Sequence, residues 1–350
     1  MKNFTFKAFA VLSLIAAGMV SCKEDGPQQA EKPQATFYVA GAQNVSGKYQ
    51  AAVWVNGIPQ KQGEAADNSW CSSLALVGND LYSAVNESGN AGYASIVYKN
   101  NVEMFTVASG RSEECKINSI AVSGGKVYSC GYTVTGGIKY SKIWENGTQY
   151  LAHSGNSDAV RVIPAGGSIY SVINEGNNTG IVVPRIYKEA VVEYTLTDGT
   201  KNAYVVDALY SNGNIYSVGN IPATDPDSED IIKLWRNGNE IYSINATDVN
   251  CVANGLFVNG SDIYVGGYSY DASGKRQAKV WKNGNLLYSL NGGAQNAEVS
   301  SVAMWNGFVY SSGYTDMGAS RTPIIWWENA IYYKMQGGGD KPEIGQMFVR

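Results

Sequence analysis

The chain has 350 residues, of which 26 are basic, 30 acidic and one is histidine, and 44% of it is hydrophobic. That length fills one large domain, and a near-neutral balance argues against a nucleic-acid or anionic-membrane surface. One histidine excludes a zinc site built from several imidazoles.

In chain order, residues 1–22 read as an export signal. Lys2 and Lys7 supply the positive end, and Ala8 to Val20 is an apolar run too short to span a bilayer. Met19-Val20-Ser21-Cys22 resembles the lipobox of bacterial lipoproteins, which implies lipidation at Cys22. Lys23-Glu24-Asp25 resembles the surface-export signal of Bacteroidetes lipoproteins, and residues 23–36, polar with two prolines, read as a tether. The expectation is an outer-membrane, lipid-anchored protein at the cell surface, touching the membrane only through its anchor.

Residues 37–350 repeat one unit seven times. Tyr38, Tyr82, Tyr128, Tyr170, Tyr216, Tyr264 and Tyr310 mark one position. A second is marked by Trp54, Tyr98, Trp144, Tyr187, Trp235, Trp281 and Trp327. Two markers sharing a period in the forties, in β-forming sequence, predict propeller blades. The third unit shows the pattern: strand A over Ile117–Val122, B over Val127–Tyr132, C over Lys142–Glu145 and D over Thr148–Ala152, with Asn146-Gly147 as the C–D turn. Asn56-Gly57, Asn237-Gly238 and Asn283-Gly284 repeat that turn, whereas Asn100-Asn101, Glu189-Ala190 and Asn329-Ala330 predict another type. The first unit begins at strand B, and Ile344–Val349 matches Val299–Met304 position for position. The fold class is therefore all-β: a seven-bladed β-propeller of four-stranded blades, closed by a C-terminal strand that completes the first blade.

The run Ile263-Tyr264-Val265-Gly266-Gly267-Tyr268, followed by Lys279-Val280-Trp281-Lys282-Asn283-Gly284, is similar to the repeats of propeller lipoproteins of Bacteroidetes. The resemblance implies an envelope propeller and carries no functional residues with it.

Candidate site residues are few. Long B–C connections, among them 42–50, 86–94 and 133–140, together with the D–A connections, form one face carrying Tyr49, Tyr93, Tyr140, Tyr270 and Trp70. Variable loops on a rigid scaffold collect binding residues, and rings beside amides and carboxylates suit sugars. Trp305 and Phe308 flank an A–B turn as a rival site on the other face. Arg161 and Asp207 replace small residues of strand A in consecutive blades, as an inter-blade ion pair or a polar spot lining a mouth of the central channel. Asp225, Asp227 and Asp230 alternate as calcium ligands do, but the sharp-turn glycine and distant glutamate are missing, so a solvated acidic loop is expected, with Ca2+ the one alternative and no other cofactor. Cys71, Cys115, Cys130 and Cys251 read as buried thiols, Cys71 and Cys115 being the pair in neighbouring blades. His153 reads as a solvated loop residue. The reading is a non-enzymatic binding module whose partner is a glycan or an envelope protein. The alternatives are a scaffold docking membrane-assembly proteins, and a carbohydrate-active enzyme, a glycoside hydrolase or lyase, with an unlocated carboxylate pair.

Overall fold

The computed structural model describes residues 35–62, 68–89, 92–108, 113–153, 155–223, 230–244, 250–291, 295–317, 320–337 and 342–350. The segment expected to be an export signal, Cys22 and nearly all of the expected tether lie outside them. Seven antiparallel four-stranded sheets make up the described chain. Six take their strands in sequence order. The first pairs Glu343–Val349 with Phe37–Val45, which is followed by Lys48–Val55 and Ile58–Lys61. In this sheet Met347 lies opposite Val39 and Phe348 opposite Tyr38, the register expected from the repeat. The innermost strands contact one another in an unbroken cycle, so the seven sheets form a ring. Those of blades 2 to 7 are Asn68–Val77, Cys115–Ser123, Ser157–Ala165, Tyr204–Ser211, Cys251–Asn259 and Ala297–Trp305, and blade 1 supplies Glu343–Val349.

The two aromatic markers are halves of one contact. Each of seven core clusters sits at a blade–blade seam and joins the strand B tyrosine of one blade to the strand C aromatic of the next. Tyr82 meets Trp144, Tyr216 meets Trp281, and Tyr310 meets Trp54 across the closure. Burying rings of this size stabilises each seam by roughly 2–3 kcal/mol per side chain. In blade 7 the residue so used is Trp326, paired opposite Ser311 and 1% exposed, not Trp327. Trp327 occupies the place of Glu145 and stacks against Phe308 and Tyr332.

The C–D turn explains the recurring Asn-Gly. A type I′ turn needs positive φ at both central residues, and Asn146 and Gly147 take φ 47° and 81°. The Asn146 side chain then extends the B–C ladder: its backbone N–H donates to the Val127 carbonyl, and its Oδ1 accepts the Val127 N–H at 2.9 Å. The same reciprocal pair recurs in all seven blades. Two expectations change here. Asn100 and Asn101 take φ 50° and 62° and form the same turn. Blades 4 and 7 use Glu189 and Glu328, whose longer carboxylates reach the Ile169 and Val309 N–H groups, so the blade 7 turn is Glu328-Asn329.

Strand A carries a bulge at the same place in every blade, between Ile117 and Ser119 in blade 3. The carbonyl just before it, of Lys116, leans so close to Gly131 that a Cβ there would collide with it, which accounts for the strand B glycine. The B–C connections are shorter than expected in blades 1 and 3. Pairing runs on to Val45–Lys48 and Thr135–Ile138, because Ser46-Gly47 and Gly136-Gly137 take positive φ and close two-residue hairpins.

Candidate functional site

The bulge aims one residue of each strand A at the neighbouring blade. These are Ser73, Ser119, Arg161, Asp207, Gly255, Ser301 and, from the C-terminal strand, Gln346. Four of these side chains accept the N–H one position further along the next blade. Gln346 Oε1 accepts the Leu74 N–H at 3.0 Å, Ser73 Oγ the Ile120 N–H at 3.1 Å, Asp207 Oδ2 the Leu256 N–H at 2.8 Å and Ser301 Oγ the Met347 N–H at 3.1 Å. Gly255 has no side chain, and blade 7 closes in where one would lie.

Arg161 cannot accept, so its seam is built differently. Its Nε donates to Asp207 Oδ1 at 2.6 Å, and the same oxygen takes the Ala208 N–H at 2.8 Å. Burial works against the Arg161 cation, but the Asp207 carboxylate outweighs it and holds the guanidinium above its ordinary range. The pair therefore replaces the serine-to-amide bond seen after Ser73 and Ser301 and brings two charges to the axis.

Above this waist, on the side of the D–A and B–C connections, the channel opens into a cavity of about 480 Å³. Its rim includes the residue three places before five of the seven belt positions: Trp70, Lys116, Asp158, Glu298 and Glu343 all line it. Asn118 Nδ2 donates to Asp158 Oδ1 at 2.6 Å, and Lys139 Nζ stands 3.8 Å from Oδ2. Arg276 donates to Glu298 at 2.9 Å. Burial raises both the Asp158 and Glu298 carboxyls above the ordinary carboxylate range, with Lys139 and Arg276 among the groups that oppose it. Arg321 lies 3.6 Å over the Tyr314 ring, whose hydroxyl burial also pushes up. The mouth thus presents one large ring, amides, and the carboxylates of Asp158 and Glu298 already held by donors.

The expected residues are distributed unevenly around it. Trp70 lies in strand A, not in a D–A loop, and lines the cavity with Arg161 and Asp207. Tyr49, Tyr93 and Tyr140 belong to strand C, and Tyr270 ends strand B of blade 6, so none is a loop residue. The four sit on four different blades and none lines the cavity. Tyr93 is 36% exposed, while Tyr270 packs edge-on against Tyr268 at 5.4 Å. Asp225 and Asp227 fall outside the described residues. Asp230 accepts the Ala223 N–H at 2.8 Å and caps a connection. Trp305 packs against the seam cluster of blades 7 and 1, and Phe308 stacks on Trp327 at 5.5 Å, so the rival pair is part of an aromatic ladder. The four cysteines are buried and none forms a disulfide, with burial pushing Cys71 up to about 12. His153 is not a solvated loop residue: its ring lies 4.3 Å from that of Tyr187 and burial lowers its pKa. Lys116, Asp158, Glu298 and Glu343 were missed because no local motif marks them. They are legible only as one column of the repeat alignment.

No protein-family model matches the chain, and no curated protein sequence matches it. Among solved structures, it is similar to a puromycin-hydrolysing peptidase of Mycobacterium tuberculosis, at 9% identity and TM-score 0.50 over 86% of this chain and 52% of that one. It is also similar to hydrazine synthase of Kuenenia stuttgartiensis (12%, TM-score 0.49, 76% and 86%). A third is the β-propeller domain of the Trilobed protease of Pyrococcus furiosus (11%, TM-score 0.45, 74% and 82%). At such identities the likeness concerns the fold, which is a seven-bladed β-propeller.

Proposed function

We propose that this propeller is a non-enzymatic binding module, held at the outer surface of a bacterial envelope through Cys22, that takes a glycan at the polar mouth of its channel. The observation that carries the reading is the rim itself. Trp70, Lys116, Asp158 and Glu298 surround a cavity of about 480 Å³, large enough for one or two sugar rings. A ring such as Trp70 stacks on the apolar face of a sugar, and amides and carboxylates bond its hydroxyls. The carboxylates favour binding over hydrolysis: Asp207 is engaged by three donors, and Asp158 and Glu298 each already serve a donor. A glycan array on the soluble chain, repeated with Trp70→Ala and Asp158→Asn, tests the site. Binding that disappears in these variants and survives Trp305→Ala and Phe308→Ala is the expected result. Loss only in the second pair moves the site to the other face. For the anchor, Cys22→Ala is expected to release the protein from membranes. Replacing Lys23-Glu24-Asp25 by alanines is expected to leave it anchored but protected from protease added to whole cells; equal cleavage of both forms removes the surface assignment.

A further inference from the structure

Below the waist the channel changes character. On the side of the A–B turns it widens into a second cavity of about 430 Å³. Its wall is the apolar half of six of the seven strands A, all but that of blade 2, and includes Ile120, Val162, Leu256, Val302, Met304 and Met347. Arg161, Asp207, Ser301 and Gln346 line both cavities, so they form the floor of this funnel as well as the floor of the polar mouth. A concave apolar site of this size with a few convergent polar groups at its end has the form of a small-molecule site.

The floor sets the chemistry of the head group. Asp207 is fully engaged by the Arg161 Nε and the Ala208 and Leu256 N–H groups. Arg161 is only partly engaged. Among the described residues its single hydrogen bond is through Nε, which leaves the two Nη groups with four N–H donors at the channel axis. The Arg161 side chain retains 16% exposure, and no buried Arg161 nitrogen is left without a partner. The Nη groups therefore face the lumen. What the floor lacks is acceptors, not charge, since Asp207 already neutralises the guanidinium. An anionic head would place a second carboxylate beside Asp207 in a poorly solvated channel, and a cationic head would face the guanidinium; both are costly. A neutral acceptor meets the Nη donors without either penalty.

We propose that the funnel on the A–B face binds a small apolar molecule bearing one uncharged hydrogen-bond acceptor, a ketone, ester or amide carbonyl, which takes the free Nη donors of Arg161. This site shares its floor with the polar mouth but has an apolar wall of its own, and the proposal stands whether or not the mouth binds glycans. The test uses the full chain with isotope-labelled methionine methyls and three probes of equal chain length: 2-octanone, octanoate and octylamine. Met304 and Met347 line the funnel, while Met104 is exposed on an outer strand and serves as the control. The expected result is saturable shifts of Met304 and Met347 with 2-octanone, no shift of Met104, and binding about tenfold weaker for each charged probe. Arg161→Lys keeps the charge opposite Asp207 and loses the fork, so 2-octanone affinity falls about tenfold, the worth of hydrogen bonds to a charged donor. Absence of saturable shifts at Met304 and Met347 overturns the proposal. So does equal binding of the charged probes, or unchanged affinity in Arg161→Lys. If that variant does not fold, the ranking of the three probes on the unaltered chain decides alone.

Discussion

Gln346→Ala tests how the ring is closed. Gln346 Oε1 accepts the Leu74 N–H and the Ser73 hydroxyl, each at 3.0 Å, across the seam between blades 1 and 2. Leu74 is 1% exposed, so its N–H has no water to turn to when the amide is removed. A buried donor left without a partner costs about 1–3 kcal/mol. The Ser73 hydroxyl rotates freely and still receives the Ile120 N–H, so its share is small. The expected loss is about 2 kcal/mol, read as a fall of roughly 4 °C in Tm for a chain of this length. Gln149→Ala is the matched control. Gln149 accepts a bond from Lys142 at 2.9 Å, but on the exposed outer edge of blade 3, where the loss is within about 0.5 kcal/mol. Equilibrium denaturation of both variants gives the comparison. Removal of residues 341–350 strips the strand itself, with Met347 and the ladder to Phe37, Tyr38 and Val39, and is expected to cost far more than Gln346→Ala and to broaden the transition. If Gln346→Ala matches Gln149→Ala, the seam is not held by the side-chain belt. If the truncated chain melts as the intact one does, closure by the last strand is wrong.

Arg161→Met leaves the Asp207 carboxylate, 13% exposed, without its counter-ion and is expected to cost about 3–5 kcal/mol; adding Asp207→Ser to Arg161→Ser restores the hydroxyl-to-amide bond of the other seams, so denaturation of the double variant should show most of that loss recovered. Asn146→Ala removes both the residue suited to positive φ and the acceptor for the Val127 N–H, and a loss of about 1–2 kcal/mol is expected, with Asn146→Gly recovering only the backbone part. Glu298 has a folded pKa above its ordinary value because of burial, so the folded state holds its proton more tightly than the unfolded chain. Its contribution is therefore most favourable at acid pH and declines as pH rises from the ordinary glutamate value through the raised one. Denaturation across that range should show the decline reduced in Glu298→Gln, and an unchanged pH profile removes the assignment.

The parts of the fold that could be read directly are those where one residue type performs one job in every blade. Tyr128 and Trp144 recur because each seam needs one ring from each side. Asn146 recurs because it serves turn and ladder together. The misread places are those where another residue performs the same job. Glu328 does the work of Asn146 with a longer carboxylate, and the adjacent Asn329 drew the turn, and with it the marker Trp327, one position too far. Ser46-Gly47 and Gly136-Gly137 close hairpins without an Asn, so strand residues Tyr49 and Tyr140 were taken for loop residues. In the site, residue type was a poor guide. Aromatics on separate blades stayed apart, while Lys116, Asp158 and Glu298, unremarkable in their local sequence, share a rim.

By itself the sequence determined the repeat, the number of blades, the four-strand unit and the source of the closing strand. All of these follow from period, turn chemistry and the matching of one segment to another, which are properties of the chain taken along its length. Only the tertiary structure decided what the channel presents. Closing the ring brings the same column of seven blades to one axis, so residues about 45 positions apart become neighbours. The bulge in strand A then turns one half of that strand into a polar mouth and the other into an apolar funnel, with the Arg161–Asp207 pair between them. The charge of each residue is written in the chain, but which charges meet depends on curvature, and curvature belongs to the assembled ring.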